Sequence, residues 1–134
     1  MVCIHCGSKT QVVNSRLQRR SNQVWRRRQC TNCAAVFTTQ EAPHYETTWL
    51  VNRQGQFQPF LTEKLVFSLH RSLQHRPTAL QDAVDLSRTI INKLGAQARD
   101  GLLEAAAIAQ VAQIALNRFD KAASASYAAY HPTR

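Results

Sequence analysis

All four cysteines of this chain lie in its first 33 residues, as Cys3-Ile4-His5-Cys6 and Cys30-Thr31-Asn32-Cys33. The layout is C-x2-C, 23 intervening residues, C-x2-C. Each pair brackets a tight turn that aims two sulfurs at one point. Two such turns on adjacent hairpins supply four thiolates to a tetrahedral Zn²⁺ at about 2.3 Å. Gly7, directly after Cys6, suits the left-handed backbone such a turn requires. Two disulfides would belong to an oxidising compartment, and a redox pair would need a single Cys-x-x-Cys in a βαβ setting that is missing here. His5 is an alternative ligand, but inside the first turn it would strain the loop. With Cys3, Cys6, Cys30 and Cys33 as ligands the metal keeps no open position, so it is expected to be structural.

A metal also accounts for how so short a segment folds. About 40 residues bury too little apolar surface to offset chain entropy without a metal or disulfides. Between the cysteine pairs, Thr10 to Leu17 and Gln23 to Cys30 alternate like strands, and Arg20 to Gln23 has turn chemistry. Val12, Val13, Leu17, Val24, Trp25, Val36 and Phe37 are the sizeable apolar groups expected to pack near the metal. Trp25 is assigned to that core, with a stacking surface as its alternative role.

Charge is distributed unevenly. The chain of 134 residues carries a net +9, of which residues 1 to 40 hold +7 with no acid at all. The basic groups there are Lys9, Arg16, Arg19, Arg20, Arg26, Arg27 and Arg28. Soluble surfaces usually mix both signs, so a one-signed segment points to a polyanion, and nucleic acid is the commonest. Zinc with four thiolates carries −2, so nearby arginines are tolerated and can donate towards sulfur. On a strand, Arg26 and Arg28 point one way and Arg27 the other. One metal site cannot engage all three, which leaves a face for phosphates, helped by Arg16, Arg19 and Arg20. No apolar run approaches the roughly 20 residues of a membrane helix, and the N-terminus lacks the signature of a secretory signal. The chain is expected to be soluble and cytoplasmic.

The segments "CIHC", "VVNSR", "VWRRRQC", "CTNC" and "VFTTQE" resemble, in order and near-family spacing, the N-terminal zinc ribbon of the NrdR-type transcriptional repressors of ribonucleotide reductase genes. The resemblance implies that the ribbon binds operator DNA through Arg16, Arg19, Arg20, Arg26, Arg27 and Arg28, and that the protein is nucleoid-associated. "LVNRQGQFQPFLTEKLVFSLHRSL" (50–73) looks like the opening of an ATP-cone, a small, mostly helical nucleotide-binding module. That likeness implies ATP or dATP as effector, with Arg53 and Lys64 as the motif-matched cations, and nucleotide-responsive assembly into a homo-oligomer. Arg53 and Lys64 would equally suit an exposed turn and a first-turn surface position. The chain departs from the family pattern at Asn14 (aspartate), Val24-Trp25 (isoleucine-arginine), Gln40 (tyrosine) and Asn52 (lysine). Ser124 and Ser126 stand where the family tends to carry tyrosine and arginine.

The expected fold class is α+β: a zinc ribbon at 1–40, a linker at 41–47, and a helical, ATP-cone-like domain at 48–134 opening with a β-hairpin. Trp49, Val51, Phe57 and Pro59 alternate across that hairpin, which turns at Arg53-Gln54-Gly55, with Pro59 at an edge. Helices follow with Leu65, Leu69 and Leu73 inward, then Leu80, Val84, Ile91 and Leu94 after a capping box begun by Thr78. Gly95 ends that helix. Ile108, Val111, Ala115 and Phe119 line the next helix, and Asp120 caps the last one. Dense alanines permit close helix approach within the module or between subunits. No nucleophile–base pair or paired carboxylates stand out, and His70, His75 and His131 lack metal-ligand spacing, so no enzyme is expected. Three functions compete: a zinc-dependent, nucleotide-controlled DNA-binding repressor; a nucleotide-responsive oligomerisation module; and a paralogue that binds DNA without nucleotide control. Charge alone would also fit a ribbon for single-stranded nucleic acid or RNA.

Overall fold

A computed structural model describes residues 1–132. It divides into two compact units, Met1–Pro43 and a second beginning at His44. The molecule is α+β: a β-rich N-terminal unit is followed by a mostly helical unit with its own small sheet.

The first unit is a three-stranded antiparallel sheet in the order β1 (Thr10–Gln18), β2 (Gln23–Cys30), β3 (Val36–Glu41). Arg19 to Asn22 turns β1 into β2, where Arg20 to Gln23 was expected to do so, and Asn22 takes a positive φ of 49°. A β-bulge at Val13 shifts the register by one: Val12 faces Arg28, yet Asn14 faces Arg27 and Arg16 faces Trp25. Without that extra residue, Arg16 would lie opposite Val24 and point to the other side of the sheet.

Of the expected apolar core of this unit only Val24 and Phe37 are even half-buried. Val12, Val13, Leu17, Trp25 and Val36 are all exposed, and only Cys3, Thr10 and Cys30 are buried. One three-stranded sheet cannot by itself cover its own side chains. The cysteine cluster is therefore the interior of this unit, as its small size demands.

The segment 41–47, read as a linker, gives Glu41 to β3, and its residues from Tyr45 enter a one-turn helix, α1 (Tyr45–Thr48). Tyr45 packs against Trp49, ring centroids 4.5 Å apart, at the edge of the second core. β4 (Leu50–Arg53) and β5 (Gln56–Pro59) form the expected hairpin. Its turn residues Gln54 and Gly55 both have positive φ, 53° and 85°, the primed geometry that matches strand twist. Pro59 lies on the edge strand. A third strand, β6 (Leu102–Glu104), runs parallel to β4 and was not foreseen. The Asp100-Gly101 dipeptide that leads into it, with φ of 52° and 74°, is the sequence signal that marks it.

Four helices complete the unit: α2 (Thr62–Ser72), α3 (Ala79–Gly95), α4 (Ala105–Phe119) and α5 (Lys121–Tyr130). Leu69, Leu73, Ile90, Leu94, Leu103 and Leu116 are fully buried. Burying each is worth about 1.5–3 kcal/mol. Two expected core residues lie outside. Leu80 is exposed because α3 buries the stripe Ala79, Ala83, Ser87, Ile90, Ile91 and Leu94. Leu80 sits one residue, about 100°, off that stripe. The small side chains at its start let α2 approach closely. Phe119 is also exposed, its ring lying under the Arg76 guanidinium at 4.5 Å. Thr78 holds the N-cap position of α3, but its hydroxyl donates to the Asp82 carboxylate (2.7 Å) and caps no backbone N–H. Asp120 caps α5 as expected, accepting from the Ala123 N–H at 3.0 Å.

Candidate metal centre, basic face and helical cleft

The four cysteine sulfurs converge. Cys3 Sγ lies 3.7 Å from Cys33 Sγ, Cys6 Sγ lies 3.5 Å from Cys30 Sγ, and all four fall within 4.8 Å of one another. Four thiolates around a zinc ion at about 2.3 Å stand about 3.8 Å apart, whereas a disulfide would bring sulfurs to about 2.05 Å. The donor set fits Zn²⁺.

Each turn aims its sulfurs with backbone N–H groups. The first closes through Cys3 N–H to Ser8 O (2.8 Å) and Gly7 N–H to Cys3 O (3.0 Å), with Gly7 at φ 72°. His5 N–H donates to Cys3 Sγ at 3.4 Å. In the second turn, Asn32 N–H (3.3 Å) and Cys33 N–H (3.4 Å) donate to Cys30 Sγ. Ala34 stands where Gly7 stands in the first turn, also left-handed at φ 60°. The Asn32 side-chain amide reaches Cys6 Sγ at 3.8 Å. Sulfur is thus met by backbone, Asn32 and Ser8. Arg26 instead pairs with Glu41 (2.7 Å), and Arg28 donates to Thr39 Oγ1 (3.0 Å).

The electrostatics of the cluster call for a cation. N–H groups of Cys6 and His5 hold the Cys3 thiol below its ordinary value. Hydrogen bonds from the Ser8 side chain and backbone bring Cys6 down to about 5. At Cys33 the Ala35 N–H pulls downward, but the neighbouring thiols, Cys30 first, together with burial push it up to about 11. Four thiolates this close would repel one another, and a divalent ion at their centre would remove the conflict. A bound zinc would cross-link the two turns. It would offer substrate no open position.

The six arginines expected to meet DNA divide between two faces and a turn. Arg27 and Arg16 share one face of the sheet with Asn14, Trp25, Thr38 and Gln40. Asn14, Ser15, Arg16, Trp25, Arg27 and Thr38 line a shallow depression there that contains no acid. Arg26 and Arg28 lie on the opposite face and are half-buried in the contacts above. Arg19 and Arg20 are exposed in the β1–β2 turn. Trp25, assigned to the core, is 41% exposed beside Arg16.

In the helical unit, Arg53 and Lys64 line one cleft of ≈ 140 Å³, walled by Val51, Phe60, Leu65, Ile108 and Tyr127. His131 stacks on Tyr127 at 4.3 Å and closes one side. Burial pushes the Tyr127 hydroxyl up to about 12, against the nearby Arg53 charge. Burial, then Arg53 and Arg71, lower His131 below its ordinary value. Arg53 and Lys64 both face this cleft. Asn52 turns away from it: its amide donates to both Glu104 oxygens (3.1 and 3.2 Å), and its carbonyl oxygen accepts from Gly55 N–H (2.9 Å).

Residues 1–41 match the family model of the N-terminal domain of the NrdR-like transcriptional repressors, a zinc ribbon. The match spans the cysteine cluster and all three strands and ends with β3. Four cysteines placed to bind a metal thus lie inside a segment similar to a repressor's zinc ribbon.

Proposed function

We propose that this protein is a zinc-dependent, DNA-binding transcriptional repressor of ribonucleotide reductase genes, with a helical unit that governs its assembly through ATP or dATP. One observation carries the reading. The sulfurs of Cys3, Cys6, Cys30 and Cys33 cluster within 4.8 Å in a basic segment that resembles the NrdR-like ribbon. Zinc holds the two turns together, and the sheet built on them presents guanidinium groups to duplex DNA. Phosphate contacts supply most of the affinity, and base-edge contacts supply the sequence choice. Arg16 and Arg27, exposed together on the acid-free face, are the first contacts, while Arg26 must release Glu41 to take part.

The test is a mobility-shift titration of the zinc-loaded protein on promoter DNA of ribonucleotide reductase genes, with particle size measured alongside in ATP and dATP. Binding to those promoters over unrelated duplex, with a nucleotide-dependent change in size, is the expected result. Equal affinity for all duplexes would remove the repressor assignment. Arg27→Ala is expected to weaken binding on every sequence and to reduce the log–log salt slope by about 0.9, the share of one phosphate contact. Unchanged affinity would exclude this strand as the contact surface.

A second reading rests on Asn52. A neutral side chain bound to Glu104 and Gly55 occupies the place of a family cation. This favours a paralogue whose DNA binding escapes nucleotide control. Calorimetry with ATP and dATP separates the two: binding that changes neither DNA affinity nor particle size supports the second.

A further inference from the structure

Trp25 departs from the core assigned to it, and its surroundings give the departure a use. The bulge at Val13 brings Arg16 onto the face that carries Trp25 and Arg27, with Arg16 directly across the β1–β2 ladder from Trp25. Asn14 sits across from Arg27, and Thr38 flanks it on β3. The indole is 41% exposed, and its Nε1–H donates to Gln23 Oε1 at 3.2 Å, which limits rotation of the ring. Glu41, the nearest acid in the strands, lies opposite Val24 and is tied to Arg26 on the other side of the sheet. The result is an aromatic plane on an acid-free depression between two guanidinium groups.

A duplex keeps its bases stacked and offers an exposed indole little beyond groove edges. An unpaired base offers its whole π-face, and the phosphates on either side of it match cations set beside the ring. We infer that the Arg16–Trp25–Arg27 face holds a single DNA strand, stacking one unpaired base on Trp25 while Arg16 and Arg27 take the flanking phosphates. The inference builds on the proposed nucleic-acid role of the ribbon and adds a second form of DNA to it. A strand opened within the ribbon's duplex site would be captured by this same face.

The experiment uses the intact zinc-loaded chain and its own fluorescence. The two tryptophans differ: Trp49 is buried and Trp25 is not. Titration with oligodeoxythymidylate is expected to quench the exposed component of the emission, and Trp25→Phe removes that component from the record. A duplex of equal length, held at Arg16 and Arg27 but with its bases stacked on each other, should quench it far less. Trp25→Ala is expected to lower affinity for the single strand by roughly five- to a hundredfold, the range of one lost base stack. Trp25→Phe should restore most of it, and both variants should keep their zinc because the ring is exposed. Quenching by the duplex in place of the single strand would overturn the unpaired-base assignment and leave duplex binding standing. Binding of the single strand with unchanged Trp25 emission would overturn the stacking. No binding of either form would overturn both this inference and the proposed function.

Discussion

Ala34 occupies the position in the second cysteine turn that Gly7 holds in the first, and both are left-handed. For a residue with a Cβ this conformation costs about 1–2 kcal/mol. Ala34→Gly is therefore expected to stabilise the ribbon by up to about 1 kcal/mol, after the entropy lost by glycine is counted. A zinc competition assay would show this as tighter retention. Weaker retention would mean that the methyl group makes a contact worth more than the strain. The opposite case is Gly101. A Cβ there would stand 2.7 Å from the Thr48 carbonyl oxygen, on a backbone with φ of 74°. Gly101→Ala should destabilise the helical unit by about 2 kcal/mol or more, read by denaturant titration. The cysteine ligands were legible in the sequence because their spacing leaves few other uses for them. Ser8 and Asn32 were not, since hydrogen bonds to sulfur leave no periodic trace.

Among the elements, α5 depends most on a single charge. Asp120 caps it through Ala123 N–H and also meets His75 (2.9 Å) and Arg76 (3.2 Å), with its side chain only 13% exposed. The Ala123 N–H first, then His75, hold its carboxyl down to about 2. A depressed carboxylate contributes stability above its ordinary value near 3.9, and that contribution is lost as pH falls through about 2. Asp120→Ala should lower the thermal midpoint at pH 7, with variant and parent converging near pH 2. A gap that persists in acid would assign the loss to packing instead of charge. The hairpin β4–β5 and helices α2 to α5 were legible from turn residues and apolar spacing. β6 was not, because three residues carry too little periodicity and its strand partner is 52 residues away. Leu80 misled for a related reason: bulk in the sequence outweighs the small residues that let helices close on each other.

At the scale of the molecule, the two units keep their interiors by different means. The helical unit buries leucines, isoleucines and an aromatic cluster of Tyr45, Trp49 and Phe60. The ribbon buries two of its four cysteines and little else. Sequence patterning distinguishes the two cases only in part, since exposed Val12, Val13 and Trp25 read as core, although one three-stranded sheet cannot by itself cover them. Among the described residues no helix is long and apolar enough to cross a membrane. Removing the metal should therefore unfold one unit and spare the other. The decisive measurement follows backbone amide resonances of the intact chain while a chelator removes one equivalent of zinc. The expected result is collapse of the dispersed signals of residues 1 to 43, with those of the helical unit unmoved; Cys30→Ser should begin in that collapsed state. Dispersed ribbon signals in metal-free protein would contradict a fold built around four thiolates, and with it the arginine face proposed to meet DNA.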